Sequence, residues 1–142
     1  MISALLDSNV ILDAVAHRKP YNENAETIFM LSAERKIKGY ITANSLTDIY
    51  YIAKKQLSDF SAREALRHLF KVFIIIDVTG EDCKEALEFA MPDFEDAVIV
   101  FCGAKADVDY IITRDADFLK SENTDNIVPP EEFLRIFEDS SR

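Results

Sequence analysis

The chain has 142 residues, of which 49% are hydrophobic and 30% charged, and its formal net charge at neutral pH is -10. That size predicts one domain, residues 1–142, with room for a real core. The acidic balance excludes nucleic-acid binding by bulk charge alone, and the longest apolar run, 97–104, is far short of the roughly 20 residues that cross a bilayer.

Ile2 to Leu6 reads as a short buried strand, with Asp7-Ser8-Asn9 as a turn signal behind it and a helix from Asn9 to Ala16. Pro20 and Asn22 punctuate, and 25–36 reads as an amphipathic helix that Gly39 ends. Tyr40 and Ile41 form a second strand, and Thr42 is placed to cap a helix over 43–57. Ser61 and Glu64 have capping-box spacing at the start of the next helix, which runs to Phe70. Phe73 to Val78 is apolar on both faces, as a strand of a parallel sheet is, and 79–91 reads as helix. Pro92 and Asp93 then open a helix to Ala106, with Asp93 suited to cap it. Tyr110 to Thr113 is a strand, Arg114 to Asp117 a turn, and 126–128 a last short strand. Pro129-Pro130 starts a terminal helix whose Phe133, Leu134, Ile136 and Phe137 can dock on the core. Both-faces-apolar strands alternating with helices predict a mainly parallel sheet covered on both sides. In such sheets, ligands bind beyond the carboxyl ends of the strands.

Four acids fall at equivalent places. Asp7 follows the first strand, Asp115 follows the Tyr110 strand, Asp48 lies in the second turn of the helix after the second strand, and Asp96 lies in the first turn of the helix that Asp93 opens. Each has a plainer role when taken alone. Asp7, Asp115 and Asp117 can be turn or cap residues, Asp96 can complete a capping box, and Asp48 can sit on a solvated face. A parallel sheet would gather all four at one end. Two ionised carboxylates about 5 Å apart at an effective dielectric of about 20 repel by roughly 3 kcal/mol, so a cluster takes up protons or a cation. Oxygen-only ligation suits Mg2+ or Mn2+. His17 and His68 have no ligand spacing with each other or with Cys83 and Cys102, which argues against zinc. The first six residues lack the basic leader of a signal peptide. Two cysteines make no disulfide framework, so a cytoplasmic setting is expected, with no membrane partner.

These segments resemble the PIN-domain nucleases. Leu5-Leu6-Asp7-Ser8-Asn9-Val10, Thr47-Asp48, Asp93-Phe94-Glu95-Asp96-Ala97 and Ile111-Ile112-Thr113-Arg114-Asp115-Ala116-Asp117-Phe118 stand in the family's order and intervals. The resemblance implies a three-layer α/β/α sandwich, PIN-like and Rossmann-like. It also implies an acidic quartet of Asp7, Asp48, Asp96 and Asp115, with Mg2+- or Mn2+-dependent cleavage of RNA. The metal would be held by Asp7, Asp96 and Asp115. Ser8, Asn9 and Thr113 match supporting positions, and Asp93 and Asp117 match acidic positions that vary in the family. The second acid of the family is commonly Glu; Asp48 is one methylene shorter. Small stand-alone members are often toxins of VapC-type toxin–antitoxin pairs, which implies an antitoxin partner and a homodimer. Lys54, Lys55 and Arg114 are candidate RNA phosphate contacts, and Tyr50, Tyr51, Phe60, Leu69 and Phe70 are core residues or a partner surface. The alternative is a catalytically silent adaptor of the same fold that binds RNA or protein. A phosphoacceptor domain fits less well, because Asn9 stands where a phosphatase of that type needs a second Asp.

Overall fold

The computed structural model describes residues 1–121 and 126–141. Five strands run β1 (Ser3–Leu6), β2 (Lys38–Thr42), β3 (Ile74–Ile76), β4 (Tyr110–Ile112) and β5 (Ile127–Val128). They form one sheet in the order β3-β2-β1-β4-β5, with every neighbouring pair parallel. The helices are α1 (Ser8–Val15), α2 (Asn22–Ala33), α3 (Ala43–Gln56), α4 (Asp59–Val72), α5 (Gly80–Ala86), α6 (Phe94–Lys105), α7 (Ala116–Leu119) and α8 (Pro130–Ser140).

Strand alternation divides the core in two. Ala4, Leu6, Ile41, Ile112 and Val128 face one layer, built from α1, α2, α3, α4 and α8. Leu5, Tyr40, Ile76, Ile111 and Ile127 face the other, built from α5, α6 and α7. The result is a three-layer α/β/α sandwich. Phe133 of α8 is fully buried, with Leu134, Ile136 and Phe137 packed beside it, as expected from the sequence. No helix among the described residues is long and apolar enough to cross a membrane.

Several local expectations are corrected. Gly39 does not stop α2. The helix ends three residues before Lys36, and Arg35 takes the left-handed turn at φ 59°. Gly39 lies inside β2, where a Cβ would meet Ser32 Oγ and come within 2.7 Å of the Phe73 ring. Thr42 precedes α3 without capping it; its hydroxyl pairs with Ser45 Oγ at 2.8 Å. The cap of α4 is Ser58, which accepts from the Ser61 amide at 3.0 Å, so the helix starts before the expected Ser61. The Phe73–Val78 strand shrinks to three residues because β3 is a sheet edge, where Ile74 stays exposed. The expected 79–91 helix is only α5, opened by a capping box between Thr79 and Asp82. The expected turn after β4 contains α7.

Winding outward from β1 to β3 and then returning to β4 makes the strand order reverse between β1 and β4. That switch point opens a crevice at the carboxyl ends of these two strands.

Gly39→Ala is expected to lower stability by about 1–3 kcal/mol, because the added methyl must displace the Phe73 ring or the β2 backbone. Urea denaturation of the variant measures this; an unchanged midpoint would show that the contact yields freely.

Candidate functional site: an acidic cluster at the switch point

Asp7 is the first residue after β1 and is only 8% exposed. Its amide continues the ladder by donating to the Ile112 carbonyl at 2.9 Å. Its carboxylate is tied on both sides. Oδ1 accepts from the Ser8 amide at 2.8 Å, at the start of α1. Oδ2 accepts from the Thr113 hydroxyl at 2.8 Å and the Asn9 amide nitrogen at 3.2 Å. Thr113 is fully buried just after β4, and its Oγ1 also accepts from the Asp115 amide at 3.1 Å. One hydroxyl thus links Asp7 to the loop that carries Asp115. Ser8 contributes its backbone to this arrangement, and Asn9 its side chain. Asn9 Oδ1 is buried with no hydrogen-bond partner among the described residues, an arrangement that costs about 1–3 kcal/mol.

The other acids come from neighbouring helix starts. Asp93 caps α6 by accepting from the Asp96 amide at 3.0 Å. Asp115 caps α7 by accepting from the Asp117 amide at 3.0 Å. Asp48 is exposed in the second turn of α3, and Asp117 is exposed in the first turn of α7.

Electrostatics shows how far the cluster is shared. Half-buried Asp96 is pushed up to about 7, first by desolvation and then by Asp93, Asp7, Asp115 and Glu95. Asp7 is raised by burial, opposed by its bonds from Thr113 and Ser8, with Asp115 and Asp93 adding to the rise. Glu95 is raised by partial burial, then by Asp48, Asp93 and Asp7. Asp7, Asp96 and Asp115 therefore share one electrostatic neighbourhood, and Asp48 touches it only through Glu95. Glu95 joins them, a residue the sequence reading passed over. Its signal was three carboxylates within four residues at the opening of α6. Among the described residues, none of these acids has a Lys, Arg or His within ion-pair distance.

The basic candidates lie elsewhere. Lys54 and Lys55 are exposed in the last turn of α3, with Lys54 Nζ 5.8 Å from the centre of the Tyr50 ring. Arg114 is engaged with buried Asp13 through two bonds, at 2.5 and 2.9 Å, and lies over Tyr21. Its charge is already matched.

No group of three His, Cys, Asp or Glu among the described residues is gathered closely enough to hold a metal ion. Asp7, Asp93 and Asp115 are each tethered to a backbone amide, and like charges hold apart. The donor chemistry nevertheless fits a hard divalent cation. The donors are all oxygens, a carboxylate has more acceptor capacity than one cap uses, and Asn9 offers an unmet carbonyl. The histidines are elsewhere, His17 paired with Glu26 and His68 stacked on Phe29.

A family model described as PIN domain matches residues 3–117. The chain belongs to the PIN domain family. Solved structures share the PIN fold across nearly the whole chain. Mycobacterium tuberculosis VapC20, described as a Sarcin-Ricin loop cleaving toxin, aligns with TM-score 0.67 at 15% identity, covering 82% of this chain and 92% of its own. A toxin–antitoxin complex from Klebsiella pneumoniae aligns with TM-score 0.64 at 22% identity, covering 89% and 97%. DNA-bound VapBC from Salmonella typhimurium aligns with TM-score 0.63 at 17% identity, covering 92% and 99%. At these identities the likeness carries the PIN fold. No curated protein matches in sequence.

Asp96 gives a pH test. Its folded pKa, about 7, lies above the ordinary 3.8, so the folded chain holds a proton that the unfolded chain releases. Ionisation therefore removes stability as pH rises from about 4 to about 7. In EDTA, Asp96→Asn is expected to raise the melting temperature at pH 8, with the gain vanishing near pH 4. A gain independent of pH would contradict the clustered-charge reading.

Proposed function

We propose that this single PIN domain, residues 1–142, is a metal-dependent endoribonuclease that hydrolyses RNA phosphodiester bonds, and that it is the toxin of a type II toxin–antitoxin pair. The observation that carries this reading is Asp7, locked between Ser8 and Thr113 at the switch point and coupled electrostatically to Asp96 and Asp115, with no ion-pair partner among the described residues. Asp7, Asp96 and Asp115 would hold Mg2+ or Mn2+, with Asp48 and Glu95 at the rim. A divalent cation supplies Lewis-acid stabilisation of the charge on the phosphoryl oxygens and acidifies water.

The chain's own residues supply the rest. Thr113 and Asn9 keep the Asp7 carboxylate oriented, so it need not reorganise during the reaction. A carboxylate of the site, Asp48 or Asp96, takes a proton from the attacking water. Water oxygen bonds to phosphorus, the bond from phosphorus to the 3′ oxygen breaks, and that oxygen gains a proton. The products are a 5′-phosphate and a 3′-hydroxyl. Lys54 and Lys55 contact RNA phosphates from α3, the helix that carries Asp48. Arg114 is left out of this role because Asp13 already neutralises it.

The partner surface combines Tyr51, Phe60 and Phe70, which are exposed, with half-buried Tyr50, whereas Leu69 belongs to the core. An antitoxin or a second copy of the chain would cover this surface. The toxin–antitoxin complexes among the structural neighbours support the antitoxin. The ungathered state of the carboxylates favours one second reading, a silent RNA- or protein-binding adaptor.

The assay that separates the two is cleavage of labelled RNA with Mg2+. Asp7→Asn and Asp96→Asn are each expected to lower kcat/KM by about 10²- to 10⁴-fold; undiminished cleavage would falsify the assignment. Reversing charge at Lys54 and Lys55 is expected to weaken RNA binding and flatten its salt dependence. Binding curves that overlay those of the parent protein at every salt concentration would remove both lysines from the interface.

A further inference from the structure

The acidic site is assembled from segments about a hundred residues apart. Asp7 opens α1, whereas Thr113 and Asp115 lie between β4 and α7. Besides the Thr113 hydroxyl, one ion pair bolts these segments together. Asp13, in α1 and 1% exposed, accepts Arg114 Nε at 2.5 Å on Oδ2 and a terminal guanidinium nitrogen at 2.9 Å on Oδ1. Arg18 stands farther off, 3.7 Å from Oδ1. The Tyr21 ring covers the guanidinium, 4.1 Å from its carbon to the ring centre.

Arg114 lies in the chain between the two residues whose placement matters. Thr113 holds Asp7, and Asp115 caps α7 within the cluster. A bidentate guanidinium–carboxylate pair fixes both distance and plane, which a single hydrogen bond does not. Burial, the bidentate geometry and the aromatic cover leave Arg114 few alternative positions. Stability alone is a poor reason for such a pair, since well-packed apolar residues often replace a buried ion pair without loss. Its particular contribution is geometry.

We propose that Asp13 and Arg114 are a positioning pair that sets Thr113 and Asp115 against Asp7; the kinetic consequence rests on the nuclease reading, but the positioning does not. Neither residue touches substrate in this role. Groups that orient a metal-binding carboxylate from behind typically change metal affinity or activity by about 10- to 100-fold when removed.

The test replaces both partners together, Asp13→Leu with Arg114→Met, which avoids leaving a lone buried charge. Arg114→Lys serves as the conservative variant. Three readouts are taken on the folded proteins: amide hydrogen exchange, Mn2+ affinity, and kcat and KM for labelled RNA. In the double variant the Asp115 amide, bonded to Thr113 Oγ1, is expected to lose protection while the Ile111 and Ile112 amides keep theirs. Mn2+ affinity and kcat are each expected to fall by about 10- to 100-fold with KM unchanged. Arg114→Lys is expected to recover part of this, because an ammonium cannot make the planar two-bond contact.

Unchanged Asp115 protection in a folded double variant overturns the proposal, whatever the activity. A rise in KM with constant kcat also overturns it, since Arg114 would then be a substrate contact. If Asp115 protection falls but the unsubstituted protein cleaves no RNA, the pair stands as a positioning device and the nuclease reading fails. Should the double variant not fold, the exchange measurement on Arg114→Lys decides: local loss at Asp115 supports the pair, and uniform protection overturns it.

Discussion

Everything at the switch point depends on one buried carboxylate. Asp7 ends β1, starts α1 and meets the β4 segment, so a single side chain joins three elements. Burying an ionised carboxylate is unfavourable, and its pKa rises accordingly. Bonds from Ser8 and Thr113 act against that rise, and the macrodipole of α1 places partial positive charge beside it. A negative group is thereby held at a defined position in the crevice between β1 and β4.

Around Asp7 the fold accumulates charge that it does not neutralise. Asp93, Glu95 and Asp96 arrive at the start of α6, Asp115 at the start of α7, and Asp48 from α3. The pKa of Asp96 is raised first by burial and then by Asp93, Asp7, Asp115 and Glu95. The contrast with the rest of the molecule is informative. Asp13 is paired with Arg114 and Asp82 with Lys105, whereas among the described residues the acids at the switch point have no ion-pair partner.

The local duties of these acids and their collective one are compatible. A cap engages one side of a carboxylate and leaves the other available. A cap therefore does not by itself bar Asp7, Asp93 or Asp115 from a second ligand. Asp117 lends its amide to Asp115, and its own side chain is exposed.

Short-range chemistry was legible in the chain. Apolar runs on both faces specified buried parallel strands, and the alternation with helices specified layers on both sides. The places of Asp7, Asp48, Asp96 and Asp115 just after a strand or in the opening turns of a helix were legible too, but not how closely they approach one another. Helix boundaries were less legible, since the starts and stops depended on Ser58, on the left-handed Arg35 and on the Thr79–Asp82 box rather than on glycine. Tertiary structure alone decided the rest. Strand order places β4 beside β1, and only that adjacency lets Thr113 reach Asp7 and lets Arg114 reach Asp13 across about a hundred residues of chain. Periodicity reports which face of an element is buried, but not which element lies against it. For that reason the places of the acids on their elements, and by resemblance Ser8, Asn9 and Thr113 beside Asp7, could be read from the sequence, whereas the Asp13–Arg114 pair could not.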